Sequence, residues 1–167
     1  MNESYAEASV KKKQTIKDHL IRAGLITLII LLLLYGMPIL GMFAVPVISL
    51  IFLGCIFLFP RLKIEYEYIF CDGQLDFDKI MGGAKRKTAL RIDFERVEIM
   101  APVNSHALDP YRNNPQIKEK NFTSLEPNRN VYAIIVKEEG LLKILFEPDE
   151  KIIEAIKQKS PRKIVEM

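Results

Sequence analysis

Ser105, His106, Asp109 and Tyr111 are residue types that could together support nucleophilic chemistry. Their spacing argues against it. A serine–histidine–aspartate relay is normally assembled from distant segments, so that side chains converge while their backbones stay apart. No catalytic residue is assigned, and Ser105, His106 and Tyr111 stand as candidates for contact with a ligand or protein partner. GGAKRKT, residues 82–88, lacks the four residues between glycines of a phosphate loop, has no Lys directly before its Thr, and joins strand to strand rather than strand to helix. DGQLDFD, residues 72–78, lacks the central glycine and late glutamate of a calcium loop. Solvated strand faces account for both. With two histidines and no CxxC there is no zinc ligand set. Cys55 and Cys71 are expected to be buried free thiols, and no metal or cofactor is expected.

The informative charge pattern is an absence. Between Arg22 and Arg61 lie 38 residues without a charge. The hydrocarbon core of a bilayer takes roughly 20 helical residues. One straight helix through the whole block would be about 57 Å long, nearly twice the slab. Two spans, near 20–36 and 42–59, use all of it. Gly36, Pro38 and Gly41 supply the turn, since Pro38 lacks a backbone donor and disfavours helix at Met37. Pro46 then sits in the first turn or two of the second span, and Pro60 with Arg61 marks its exit. The run is too long for a cleaved signal peptide, and no small-residue cleavage site follows it.

Lys11, Lys12, Lys13, Lys17 and Arg22 precede this block, Arg61 and Lys63 follow it, and the turn carries no basic residue. The positive-inside rule therefore expects a multi-pass protein of the cytoplasmic membrane with both ends inside. On that topology the sequons at Asn2 and Asn121 would not be glycosylated. The same seven cations, together with Lys85, Arg86 and Lys87, are candidate contacts for anionic lipid headgroups. The net charge of +3 gives no case for nucleic acid.

Three segments follow: a basic cytoplasmic lead-in over 1–19, the hairpin over 20–60, and a cytoplasmic domain over 61–167. In LKIEYEYIF, Leu62, Ile64, Tyr66, Tyr68 and Phe70 share one face and Lys63, Glu65 and Glu67 the other, which predicts a half-buried strand. Asp72-Gly73 is a hairpin signal. QLDFDKIM is a second strand, with a possible bulge before Ile80. Gly82-Gly83 turns into KRKTALRI, and an Asp93-Phe94-Glu95 corner leads to RVEIMA. VYAIIVK is apolar on both faces and reads as a central strand, and EEG turns it into LLKILFE. A helix is expected over 148–160, with Pro148 in its first turn and Ile152, Ile153 and Ile156 as its apolar stripe. Residues 102–129 hold Pro102, Pro110, Pro115 and Pro127 and form a long loop.

Six strands in hairpin succession, closed by one amphipathic helix, make an α+β arrangement that resembles the pleckstrin-homology-like fold. It resembles especially the bacterial membrane-anchored versions in which two spans precede the domain. VKKK, IEYEYIFCDGQLDFDKIMG, KRK, VEIMAP and FEPDEKIIEAIKQKSPRKI are similar to a family of small uncharacterised bacterial membrane proteins of that design. The resemblance covers nearly the whole chain. It implies an antiparallel, strongly curved sheet or barrel capped by the C-terminal helix, and it brings no catalytic residues. The fold has seven strands, and the seventh is to be sought in the long loop. The function these features suggest is a membrane-anchored, non-enzymatic binding or assembly module that meets a protein partner or lipid headgroups at the bilayer's inner face. An accessory subunit of a larger membrane complex is the alternative, and a membrane-surface enzyme would need a polar cluster that the sequence does not display.

Overall fold

A computed structural model describes residues 5–112, 114–138 and 140–165. The sequon at Asn2, both terminal methionines and Glu139 of the EEG turn lie outside the described residues. The described residues within 1–12, 65–80 and 86–167 make one compact unit, and those of 13–64 and 81–85 make another.

The first unit is built on two sheets. The first contains β1 (Tyr5–Lys11), β2 (Ile64–Cys71), β3 (Gln74–Met81) and β4 (Lys85–Asp93), in that order. β2 buries Tyr66, Tyr68 and Phe70 on the expected face, but Glu67, expected on the solvated face, is buried as well. Asp72 and Gly73 both have positive φ (46° and 93°), the twist a two-residue hairpin turn needs between right-twisted strands. Cys71, at the end of β2 beside this turn, is exposed rather than buried, whereas Cys55 is buried.

At the corner a short 3₁₀ turn, Phe94–Arg96, ends the first sheet, and the Asp93 carboxylate accepts the Glu95 N–H at 2.9 Å. The chain then enters a second sheet of β5 (Val97–Pro102), β6 (Lys118–Asn121), β7 (Tyr132–Lys137) and β8 (Leu141–Phe146), ordered β5-β7-β8-β6. β7 is central, with Ala133, Ile134, Ile135 and Val136 all fully buried.

Three expectations are corrected here. Neither sheet curls strongly or closes into a barrel, because the corner hands the chain to a new ladder and each sheet ends on its own edge strands. The described residues hold eight strands rather than six or seven: β1 lies ahead of the helices and β6 inside the long loop. β6 pairs with β8 in parallel, so the second sheet is not wholly antiparallel.

The sheets meet through aromatic rings. Tyr68 and Phe77 of the first sheet pack edge-on against Phe146 of the second, at 5.4 and 5.6 Å, and Phe122 stacks on Phe77 at 4.8 Å. The buried Tyr68 hydroxyl donates to the Phe122 carbonyl, which ties the long loop to this core.

α5 (Glu150–Lys159) begins later than expected. Asp149 is its N-cap, accepting the Ile152 N–H at 2.9 Å, and Pro148 precedes it. Its buried stripe is Ile152, Ala155 and Ile156, while Ile153 is only half-buried.

The second unit contains α1 (Ile16–Leu31), a π turn (Leu32–Gly36), α2 (Met37–Leu40), a 3₁₀ turn (Gly41–Phe43) and α3 (Ala44–Arg61). The first helical run does not stop at Gly36. The wider π turn lies just ahead of Pro38, where a proline's missing donor and ring would strain a regular ladder, and the run continues to Leu40. The reversal falls at Gly41, whose φ of 54° and ψ of −131° disfavour any residue with a Cβ. Pro46 lies in the first turn of α3 as expected, and Pro60 and Arg61 are its last two residues, marking its exit. Ile16–Ile39 and Gly41–Arg61 are each long and apolar enough to cross a membrane.

Two outcomes test this packing in the full chain in detergent. Ile152→Asp is expected to lower stability by about 3–5 kcal/mol, from lost burial plus an unpaired carboxylate, and Ile153→Asp by less than half as much. The second concerns pH. Burial raises the Tyr68 pKa, so the folded state holds the phenol neutral while the unfolded chain ionises near pH 10. The resulting stability is present below about pH 10 and lost above it, at up to about 1.4 kcal/mol per pH unit. Melting temperatures between pH 9 and 11 are expected to fall more steeply for the wild type than for Tyr68→Phe.

Candidate functional site

In the helical unit, the Asp18 carboxylate accepts the Thr15 N–H at 2.8 Å and fixes where α1 begins. Arg22 follows one turn later. Its Nη1 donates to the Gln14 Oε1 at 3.1 Å. Its Nε and Nη2 are buried, and no group among the described residues accepts from them. At the end of α3, the Lys63 N–H returns to the Pro60 carbonyl at 3.0 Å, and the Lys63 carbonyl accepts the Gly82 N–H at 3.0 Å. Gly82 has φ of 64°, and a Cβ there would come within 2.7 Å of the Pro60 Cβ, so this close approach requires glycine. Arg22, Phe59, Pro60, Lys63 and Gly82 line a cavity of about 420 Å³. Two of the basic residues singled out by sequence thus share one pocket. Lys11, Lys13, Lys17 and Arg61 are exposed and Lys12 is half-buried, and none of them lines it.

The Lys85–Lys87 run does not act as one surface. Arg86 Nε donates to the Asp78 carboxylate at 2.6 Å and its Nη2 to that of Glu67. Both acids are buried. The arrangement has a simple origin: a two-residue turn at Asp72-Gly73 pairs residues at equal steps from it, which sets Glu67 across from Asp78. Two like charges facing each other need a cation, and Arg86 on β4 supplies it. Alternation sends Lys85 and Lys87 to the other face, and both are exposed.

The long loop uses its candidate residues for local structure. The Ser105 hydroxyl accepts the Ala107 N–H at 3.3 Å, capping the short turn His106–Leu108. His106 Nδ1 lies 3.1 Å from the Asp109 carboxylate, on a fully exposed side chain. Tyr111, in α4 (Asp109–Arg112), donates to Glu98 at 3.0 Å, and burial first and Glu98 second raise its pKa. Leu108 joins Ala101, Ala133 and Ile135 in a buried cluster against which Ala107 and Tyr111 pack. The loop is therefore a cover over one face of the second sheet.

A groove of about 1000 Å³ was not anticipated from sequence. Arg96, Lys118, Lys120 and Lys137 line it together with Glu138, over Leu141 and Leu142. The overlooked signal was the alternation of Lys118, Glu119 and Lys120 in a segment read as loop.

Two packed sheets followed by a C-terminal helix agree with what the whole-chain comparison finds. Residues 2–166 match the family described as Bacterial PH-like domain (DUF6106). The chain belongs to that family. No curated protein and no solved structure matches it. For a PH-like chain the fold points to a binding or scaffold module, and function has to be argued from its sites.

Arg86 provides the test of its own role. Arg86→Gln strands two buried carboxylates and is expected to lower stability by about 1–3 kcal/mol, a value reduced for the half-exposed guanidinium. Lys85→Gln and Lys87→Gln are expected to stay within about 0.5 kcal/mol of wild type. Thermal melts of the three full-length variants distinguish an internal Arg86 from a surface triad.

Proposed function

We propose that this PH-like chain is a membrane-anchored, non-enzymatic binding module, with the two apolar helices crossing the cytoplasmic membrane as a hairpin and the sheets working on its inner face. One observation carries the reading. β1 and β2 flank the helices in sequence yet pair directly, Lys11 opposite Glu65. Two strands of one ladder lie on one side of a bilayer, so the chain between them must go out and return. The side chains of both helices are almost all exposed, which suits an apolar solvent. Lys11, Lys12, Lys13, Lys17 and Arg22 on one flank, and Arg61 and Lys63 on the other, favour the inside for both.

Binding rather than catalysis is supported by the use of Ser105, His106 and Asp109 as turn and surface contacts. The groove beside β6, with four cations and one carboxylate among its lining residues, suits an acidic segment of a protein partner. The accessory-subunit reading differs only in what the groove and helices hold.

Cys71 supplies a native probe, being exposed on the first sheet. In a Cys55→Ser background, a membrane-impermeant maleimide is expected to label Cys71 in inside-out vesicles and to leave it unlabelled in intact cells. Labelling of intact cells would reverse the topology.

A further inference from the structure

Among the described residues, the Nε and Nη2 of several arginines can be compared, Arg129 turning both on Glu126 at 3.1 and 3.0 Å. These two nitrogens form one edge of the guanidinium, the edge that grips an oxyanion with two parallel hydrogen bonds. Arg91 turns it on the Asp76 carboxylate at 2.7 and 2.6 Å. Arg86 turns it on Asp78 and Glu67. In Arg22 the same edge is buried and meets no acceptor among the described residues. A buried, charged donor edge left unpaired is costly. Here it belongs to a residue lining a cavity of about 420 Å³ with a second cation, Lys63.

We propose that this cavity is an anion site, in which the Nε–Nη2 edge of Arg22 holds two oxygens of a phosphate and Lys63 adds a point charge at its mouth. A planar two-donor edge matches a pair of phosphate oxygens, and a nearby ammonium compensates the same charge. The volume lies within the range of sites for small molecules and headgroups. Phe59 and Pro60 give it apolar lining, and Gly82 lines it where a Cβ would meet Pro60.

The source of the phosphate rests on the membrane-anchored reading. Arg22 is the last charged residue before the uncharged run and Arg61 the first after it, so at a bilayer the cavity sits at headgroup depth. Its occupant is the phosphate of an anionic phospholipid. The site differs from the solvated Lys11–Lys13 run, because it fixes one headgroup in place rather than attracting a charged surface.

The test uses the full chain in a maltoside detergent, which carries no phosphate. Dissociation constants come from thermal shift on adding phosphatidylglycerol, phosphatidylcholine or inorganic phosphate. The wild type is expected to be stabilised most by phosphatidylglycerol. Arg22→Gln is expected to weaken that binding roughly ten- to a hundredfold, the worth of charge-assisted hydrogen bonds. Arg22→Lys, which keeps the charge but not the edge, should weaken it nearly as much, and the exposed Lys63→Gln about threefold. Without lipid, Arg22→Gln should melt no lower than wild type, because it removes an unpaired buried charge; a residue with only a structural role would melt lower. Equal phosphatidylglycerol shifts in wild type, Arg22→Gln and Lys63→Gln would overturn the site. An equal response to inorganic phosphate would keep the site and overturn the lipid source. Failure of the Cys71 labelling result would reverse the side of the bilayer on which the sheets lie while leaving the Arg22 and phosphate comparison standing.

Discussion

Tyr5–Lys11 and Ile64–Cys71 share one ladder, Tyr5 opposite Cys71 and Lys11 opposite Glu65, and the whole helical unit is inserted between these neighbouring strands. The two ends of the insert are therefore held at strand spacing, roughly 5 Å. An apolar run of this length could otherwise have been one long helix. With its ends pinned together it must turn once near its middle, and Gly41 is where the backbone permits it.

The rest of the first unit follows from how the ladder is roofed. Tyr68 and Phe77 meet each other edge to face at 5.7 Å, and Phe146 of the second sheet packs edge-on against both. Several polar groups in this interior are tied down rather than excluded, although Asp78 Oδ1 and Glu147 Oε2 are buried without a partner among the described residues. Tyr68 donates to the Phe122 carbonyl, Glu147 accepts both the Ser124 N–H and its hydroxyl, and Arg86 reconciles two facing acids. Each bond reaches across at least one strand or loop, so they specify which segment covers which face as well as adding stability. Leu125, at φ of 62°, takes a left-handed conformation unusual for leucine, between Ser124 and Glu126, both of which are bound into this network.

Sequence patterning revealed the elements that carry large side chains in strict order. β2 and β3 were legible because aromatic and aliphatic residues alternate with charges, and β7 because it is apolar throughout. β1 and β6 were not. β1 offers only Ala6, Ala8 and Val10 to its inner face, and β6 is Lys-Glu-Lys-Asn with every side chain exposed. Such strands owe their existence to backbone pairing with a neighbour, which leaves little trace in side-chain type. The same limit applied to the basic residues. Lys85, Arg86 and Lys87 look alike in a row, but the parity of the hairpin sends Arg86 alone toward two buried carboxylates. Arg22 reads as one more flanking cation until the burial of its Nε and Nη2, with no acceptor among the described residues, is known.

The split sheet also orders events in time. β1 is synthesised before the helices and its partner only after them, so it must wait, with its backbone donors and acceptors unmatched, until the second helix has returned. On the membrane reading this makes closure of the ladder a report on insertion. A chain whose helices had failed to turn round would leave β1 and β2 on opposite sides of the bilayer, and the bare edge of β2 would be open to whatever inspects nascent membrane proteins. On that reading, completion of the first sheet would certify that the hairpin went in correctly.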